Sequence, residues 1–220
     1  MSLTWTLAEI RTELREVAKL KDTSEWPDAG LDDRINDFLQ NHFPGFVNVE
    51  ELKTFFTIDT TATDDGEYAL ASNMHSIEKP MTVKDSDSVI STPHFYKDDK
   101  EKFFREYPED ANDETDERNT PAGVLVYGRV VFLRPNPDAI YTFKTAAKKK
   151  PAALTSDSST LLDVRWGPAI VQGTAMFIVQ RTDLDAAIEI SKVFQAMIAP
   201  INSRDIIQRS RARKRSKPSW

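Results

Sequence analysis

The period of the hydrophobic pattern changes twice along this chain, and that change limits the folds it can adopt. In the first 45 residues apolar side chains recur every three or four positions, as on one face of an amphipathic helix. Residues 53–144 instead hold short runs of aromatic and β-branched residues, which are typical of strands. The helical period returns after Trp166. The order predicts an α+β fold, a helical bundle from N- and C-terminal helix pairs with a β-rich insertion between them.

Two apolar stripes predict the N-terminal helix pair. Thr6 followed by Glu9 predicts a capping box at the start of the first helix, whose stripe is Leu7, Ile10, Leu14 and Val17. The second helix follows Pro27 and carries Leu31, Ile35, Phe38, Leu39 and His42 on one face. Phe43-Pro44-Gly45 is predicted to end this helix, because proline has no N–H to extend it.

The insertion is predicted to contain two β-hairpins. Strand-forming residues fill 53–60, and Asp64-Asp65-Gly66 is predicted to turn the chain into a partner strand at Tyr68. Pro135-Asn136-Pro137-Asp138 is predicted to join the two strands that flank it as a tight hairpin. Both predictions pair strands that are neighbours in the sequence.

Two further helices are predicted after the insertion. Residues 166–180 are apolar nearly all round, which indicates a central buried helix. Thr182, with Asp185 three residues later, is predicted to cap the last helix, and Pro200 is predicted to bend it. The predicted parts of the chain are therefore the N-terminal helix pair (1–52), the β-rich insertion with an acidic loop (53–147), the C-terminal helix pair (148–203) and a basic tail (204–220).

Charge is distributed unevenly between the body and the end of the chain. Seven basic residues between positions 204 and 217, against Asp205 alone, give a net charge of +6; since the whole chain carries −6, the remainder carries −12. Such a contrast indicates that the two parts contact different surroundings. We predict that a partner binds the basic residues and the final tryptophan, Arg204, Arg209, Arg211, Arg213, Lys214, Arg215, Lys217 and Trp220.

Three interpretations of this tail are open from the residues alone. It can dock on an acidic protein surface, contact DNA phosphates, or remain a solvated segment that aids solubility. Trp220 favours docking, because aromatic side chains often anchor a chain in a partner's pocket. No apolar run approaches the about 20 residues that a membrane span needs, so no membrane contact is predicted.

The chain offers little that an enzyme needs. It has no cysteine, and the seven glycines form no phosphate-binding loop. His42, His75 and His94 lack the spacing of metal ligands, and His42 is predicted to be a packed histidine on its helix stripe. We therefore predict no catalytic residue, no cofactor and no metal site.

Two residue clusters have functional alternatives. The carboxylates of residues 98–117 suit a Ca²⁺ site or a repulsive surface, but the EF-hand alternation is missing, so a solvated loop, mobile over 109–120, is favoured. The aromatic residues suit base stacking, but the acidic body would repel nucleic acid. We therefore predict a core position for Phe55, Phe56, Phe103, Phe104 and Phe132.

Short runs of turn and core residues, spread over nearly the whole chain in a characteristic order, carry a resemblance to a known family. They are Leu7-Ala8-Glu9-Ile10-Arg11, Trp26-Pro27-Asp28 with Leu31 and Arg34-Ile35-Asn36, Tyr68-Ala69-Leu70, residues 123–141 and Lys150-Pro151-Ala152-Ala153-Leu154-Thr155. In this order they resemble the head-to-tail adaptor, or neck, proteins of tailed bacteriophages, which bind beneath the portal.

The resemblance implies a structural virion protein in the neck, assembled in the host cytoplasm. It implies a ring of twelve subunits on the portal protein, with the helices forming the ring wall and the insertion facing a tail or nozzle protein. The C-terminal segment would reach the portal. Genomic DNA would pass through the ring during ejection without specific binding, because an acidic channel repels phosphate.

Other functions remain open. A head- or tail-completion protein could have the same elements and a different neighbour, and portal binding separates it from an adaptor. A small DNA-binding regulator would use the basic tail, and loss of DNA binding on tail deletion would identify it. An enzyme, such as a cell-wall hydrolase carried in a tail, would lose activity on single Asp or Glu substitutions.

Overall fold

The computed structural model describes residues 5–20, 22–85, 88–96, 99–108 and 118–215 of the 220-residue chain. It confirms the mixed α+β fold. The α-helices are α1 (Leu7–Val17), α2 (Asp28–Asp37), α3 (Phe43–Phe46), α4 (Lys100–Glu106), α5 (Trp166–Val179) and α6 (Leu184–Arg215). The strands are β1 (Lys53–Asp59), β2 (Glu67–Ala69), β3 (Met74–Asp85), β4 (Ser88–Ser91), β5 (His94–Tyr96), β6 (Gly123–Tyr127), β7 (Val130–Arg134) and β8 (Thr142–Lys149).

The chain forms two compact units. The helical unit consists of residues 1–52 and 150–220, and the β unit consists of residues 53–149. The finer boundaries at residues 148 and 204 stay predictions. In the part of the chain that the structure describes, no helix combines the length and the apolar character needed to cross a membrane.

The first helix begins as the sequence predicts. The Thr6 hydroxyl accepts a hydrogen bond from the Glu9 N–H at 3.2 Å, and the Glu9 carboxylate accepts one from the Thr6 N–H at 2.8 Å. This reciprocal pair satisfies two amide groups that have no partner inside the helix. Leu7, Ile10 and Leu14 are buried, so the apolar stripe of α1 faces the core.

The second helix does not end at Phe43-Pro44-Gly45, and that prediction is wrong. α2 continues into a π-helical turn at Phe38–His42, in which the Phe43 N–H donates to the carbonyl of Phe38. α3 then runs to Phe46 with Pro44 in its first turn, where the missing N–H of proline is not needed. The wider turn restarts the helix at a position that tolerates proline.

α5 is the central helix, as predicted, and ten of its fourteen residues are buried. Two glycines let aromatic rings contact its backbone directly. The ring of Trp5 lies against Gly167 and the ring of Phe38 against Gly173, where an added Cβ atom would lie 2.2 Å and 2.0 Å from ring atoms. Any side chain at either glycine would therefore displace a neighbouring ring.

α6 is capped by Asp183, and the prediction of Thr182 as the cap is wrong. The Ala186 N–H donates to Asp183 Oδ1 at 2.9 Å, whereas the Thr182 hydroxyl donates to the Val179 carbonyl at 3.2 Å. Thr182 is already engaged in the turn after α5, so the next side-chain acceptor takes the cap position. The helix continues past Pro200 and ends at Arg215.

Neither predicted hairpin forms in the β unit. The sheets have the orders β1-β8-β3-β4 and β2-β7-β6-β5. Asp64-Asp65-Gly66 links β1 to β2 in the other sheet, and Pro135-Asn136-Pro137-Asp138 lies between β7 and β8, which also belong to different sheets. A turn sequence reverses the chain, but the pairing partner of a strand is fixed by side chains distant in sequence.

Consecutive strands pair at β3–β4 and at β6–β7, and the turn between β6 and β7 is Gly128-Arg129. Both residues have positive φ, 57° and 65°, as a two-residue type I′ turn requires. The two sheets contribute to one core, with Phe56, Met81, Val83 and Phe143 from the first and Val124, Val131 and Leu133 from the second.

Candidate partner-binding surfaces

The basic residues predicted to bind a partner lie on the last turns of α6. The backbone is helical through residue 215, which distributes the cations of 204–215 along about 18 Å of helix. They are Arg204, Arg209, Arg211, Arg213, Lys214 and Arg215, opposed in this span by Asp205 alone. Lys217 and Trp220 lie outside the described residues. A helix segment with this charge density attracts an acidic surface.

The start of this basic segment is fixed by the packing of α6. Its buried residues are Ala187, Phe194, Ile198 and Ile201, and the last three belong to the helical core. Asn202 follows, with its amide donating to the Phe46 carbonyl at 3.0 Å and its oxygen accepting from the Asn48 N–H at 2.9 Å. The cations therefore begin two residues after a side chain that is bonded at both ends.

A cavity of about 520 Å³ lies at the last turn of α5. One wall is aromatic: the ring centroid of Phe177 lies 4.5 Å from that of His42 and 5.6 Å from that of Phe38. The π-helical turn after α2 supplies two of these three rings. His42 is packed, as the sequence predicts, and Phe177 is 37% exposed. The cavity thus presents apolar ring surface to its opening.

The other lining groups of this cavity are polar. Arg34 and Arg181 are exposed and form no hydrogen bond or ion pair with any described residue through their side chains. Asp37 is engaged, because it accepts a hydrogen bond from Asn41 at 2.8 Å and lies 3.7 Å from His42 Nε2. The buried Thr174 hydroxyl has no hydrogen-bond partner in the described part of the chain. Uncommitted donors therefore adjoin the aromatic wall.

An acidic-apolar patch precedes the first turn of α5 and consists of Glu51, Leu162, Asp163 and Val164. Leu162 is 62% exposed and Val164 is 38% exposed. Two carboxylates share one guanidinium there, because Arg165 bonds to Asp163 and lies 3.6 Å from Glu51. The segment is held in place by the Leu161 N–H, which donates to the Trp5 carbonyl at 3.1 Å.

A cluster of ion pairs ties that segment to α1 and α2. The partly buried Arg11 guanidinium lies 2.8 Å from Asp28, 2.8 Å from Asp32 and 2.6 Å from Asp157. Burial by itself lowers the pKa of Arg11, but the hydrogen bonds to Asp157 and Asp32 outweigh burial and raise it. A hydrogen bond from Arg15 lowers the pKa of Asp28. The cluster stabilises the connection that carries the acidic-apolar patch.

In the β unit, the prediction that Phe55 lies in the core is wrong. Phe55 is 62% exposed, and Lys144 Nζ lies 4.3 Å from its ring centroid. Strand alternation places one of two adjacent phenylalanines outward, and here Phe56 is the buried one. Phe103 is buried as predicted, and Phe104 and Phe132 pack against it partly buried.

The histidines lie in separate surroundings. His42 lines the cavity of the helical unit, His94 packs against Tyr96 at 4.4 Å between ring centroids, and His75 lines a cavity of about 330 Å³ in the β unit. Among the described residues no group of three His, Asp or Glu side chains is placed to hold a metal ion. Asp98 and residues 109–117, the core of the predicted acidic loop, lie outside the described residues.

Comparison with known families identifies the family of the chain. The family model described as SU10 adaptor protein matches residues 1–217. The chain belongs to the SU10 adaptor protein family. This family comprises phage head-to-tail adaptors, so the protein is a phage adaptor and a component of the virion. Membership implies contacts with other virion components, and a structural family suggests a non-enzyme. No curated protein matches the chain.

The sequence indicated one candidate binding surface of this SU10 adaptor, the basic segment, and missed two candidates, the cavity and the acidic-apolar patch. Composition alone identifies the basic segment, whereas the cavity depends on the π-helical turn and on which helix packs against it. The signal that was present is the pair Phe38 and His42, four residues apart just before a proline. Phe177 and Arg181 repeat that spacing on the central helix, but spacing does not reveal that the two pairs meet.

Proposed function

We propose that this SU10 adaptor assembles as a ring of twelve subunits that joins the portal to the tail and encloses the DNA channel. The observation that carries the proposal is the family match over residues 1–217, which extends through both units and into the basic segment. In this proposal the helix pairs form a bundle that makes the ring wall, and the β unit faces a tail or nozzle protein.

The basic segment is the proposed contact with the portal protein. Its cations begin two residues after Asn202, whose side chain is held by two hydrogen bonds. A partner's acidic surface would be attracted to these cations. Trp220 would add an apolar anchor at such a contact. The proposed portal-binding residues are those predicted from the sequence, Arg204, Arg209, Arg211, Arg213, Lys214, Arg215, Lys217 and Trp220.

The charge of the remaining chain supports the proposal of a DNA conduit. Outside residues 204–217 the chain carries −12, and like charge along a channel repels phosphate. The genome would then pass through the ring without specific binding during ejection. The protein would be assembled in the host cytoplasm and reside in the virion neck.

Binding to purified portal rings tests this function. The full chain should co-sediment with portal rings. A chain that stops after residue 203 should lose at least tenfold in affinity while keeping the thermal unfolding midpoint of the full chain. Portal binding that is unaffected by the truncation would contradict the role of the basic segment. Absence of portal binding would favour a head- or tail-completion protein.

The same preparation separates the adaptor from a DNA-binding regulator. The truncated chain should not bind double-stranded DNA at near-physiological salt, because its net charge is strongly negative. Tight DNA binding by the full chain with a steep salt dependence, without portal binding, would contradict the adaptor proposal.

A further inference from the structure

The two ends of α5 present surfaces of complementary chemistry. The acidic-apolar patch precedes Trp166, and the cavity lined by Thr174 and Phe177 lies at the last turn. The helix has 14 residues, and at 1.5 Å per residue its ends are about 20 Å apart. The patch of one copy therefore cannot fill the cavity of the same copy.

The apolar groups of these two surfaces match in kind. Leu162 and Val164 expose branched aliphatic side chains on a segment that is held by main-chain bonds. The cavity offers an aromatic wall, including the partly exposed ring of Phe177. Placing aliphatic groups against that wall removes apolar surface of both from water.

The charged and polar groups of the two surfaces also match. The exposed carboxylate of the patch is that of Glu51, which lies 3.6 Å from the Arg165 guanidinium, a group already bonded to Asp163. The cavity has two arginines, Arg34 and Arg181, without an anionic partner among the described residues.

We propose that the cavity at the last turn of α5 receives Leu162 and Val164 from a second copy of this chain. The contact is head-to-tail, because two different surfaces of the same unit meet. Repeated head-to-tail contacts form a closed ring when the rotations between successive subunits add up to a full turn. A contact of one surface with the same surface of a second copy stops at a dimer. The inference rests on the proposed ring and assigns the surfaces through which its subunits join.

Disulfide cross-linking tests the contact directly, since the chain has no cysteine of its own. The double variant Leu162→Cys/Phe177→Cys, assembled alone and on portal rings, should give a ladder of cross-linked oligomers under mild oxidation. Leu162→Cys or Phe177→Cys alone should stay monomeric on the denaturing gel. An equal mixture of the two single variants should give cross-linked dimers and nothing larger.

Charge reversal supplies a second measurement that does not depend on cross-linking. Arg181→Glu should reduce the assembled fraction at least tenfold at low salt, and Glu51→Arg in the same chain should restore part of it. Arg105→Glu, an exposed change of the same size in the β unit, is the matched control and should assemble as the wild type does. Arg181 and Arg105 are exposed, so thermal unfolding of Arg181→Glu and of Arg105→Glu should match the wild type.

The outcomes separate this inference from the proposed function. Rings that form without a cross-linked ladder would overturn the contact and leave the adaptor ring standing. A homodimer of Phe177→Cys alone would show a symmetric contact and overturn the head-to-tail arrangement. A cross-link to the portal protein would identify a different occupant of the cavity. Absence of rings, both alone and on the portal, would refute the proposed ring and this contact together.

Discussion

The first and last turns of α5 differ in how deeply their aromatic side chains are buried. At the first turn Trp166 is fully buried, packs against Phe43 at 5.2 Å between ring centroids, and is followed by Gly167 under the Trp5 ring. At the last turn Phe177 is partly exposed, and the nearby Thr174 hydroxyl has no hydrogen-bond partner among the described residues. Side chains at the first turn of α5 therefore stabilise the core, whereas a side chain at its last turn leaves part of its apolar surface exposed.

The largest expected effect is a difference in stability between the two ends. Trp166→Ala should lower the free energy of unfolding by about 3–5 kcal/mol, because it leaves a large cavity in a packed core. Phe177→Ala should lower it by less than about 1 kcal/mol, since its ring is partly exposed already. Urea denaturation followed by far-ultraviolet circular dichroism measures both; equal losses would contradict the division between the ends.

The next comparison uses two arginines. Arg11→Met should destabilise the helical unit by about 1–3 kcal/mol, because it leaves three aspartates without their shared cation. Arg181→Met removes a side chain with no partner among the described residues and should leave stability within about 0.5 kcal/mol of the wild type. A loss at Arg181 as large as that at Arg11 would show that the cavity rim also stabilises the fold.

A smaller effect distinguishes the two candidate caps of α6. Asp183→Ala should cost about 1 kcal/mol, the usual loss when an N-cap side chain is removed. Thr182→Ala should cost less, because its hydroxyl bonds back to the turn after α5. A larger loss of thermal stability in Thr182→Ala than in Asp183→Ala would instead support Thr182 as the cap.

The smallest effect concerns acid. A hydrogen bond from Arg15 lowers the folded-state pKa of Asp28, so the unfolded chain binds this proton first as the pH falls. The contribution is complete above the unfolded pKa of about 4 and disappears as the pH falls through the lower folded value. In the Asp28→Asn variant the free energy of unfolding should therefore depend less on pH in the acidic range than it does in the wild type.

Asp185→Asn is the control for that curve, because Asp185 forms no ion pair with the described residues. Its stability should follow the wild type over the whole range, measured by urea midpoints between about pH 5 and pH 2. A wild-type curve for Asp28→Asn would contradict the coupling to Arg15.

Helices were predictable here because their signals are local. The stripe of α1, the capping pair Thr6 and Glu9, and the apolar character of α5 each depend on residues within a few turns. Strand-forming runs were recognisable for every strand except β5. The pairing was not, because β8 pairs with β1 and β3, which lie more than fifty residues away. Turn residues between β7 and β8 contain no information about such partners.

The same limit applies to the candidate binding surfaces. The basic segment follows from composition, since charge needs no tertiary contact to be recognised. The cavity depends on the approach of Phe177 to His42, and the acidic-apolar patch depends on Arg165 bonding to Glu51 across more than a hundred residues. Non-local contacts of this kind are visible only in the folded chain.

Electron microscopy of the adaptor bound to purified portal rings tests the central claim most directly. The ring proposal predicts a closed layer of twelve adaptor subunits beneath the portal, with an open channel continuous with that of the portal. Portal rings without an added layer, or with adaptor copies bound singly and no closed ring, would contradict it.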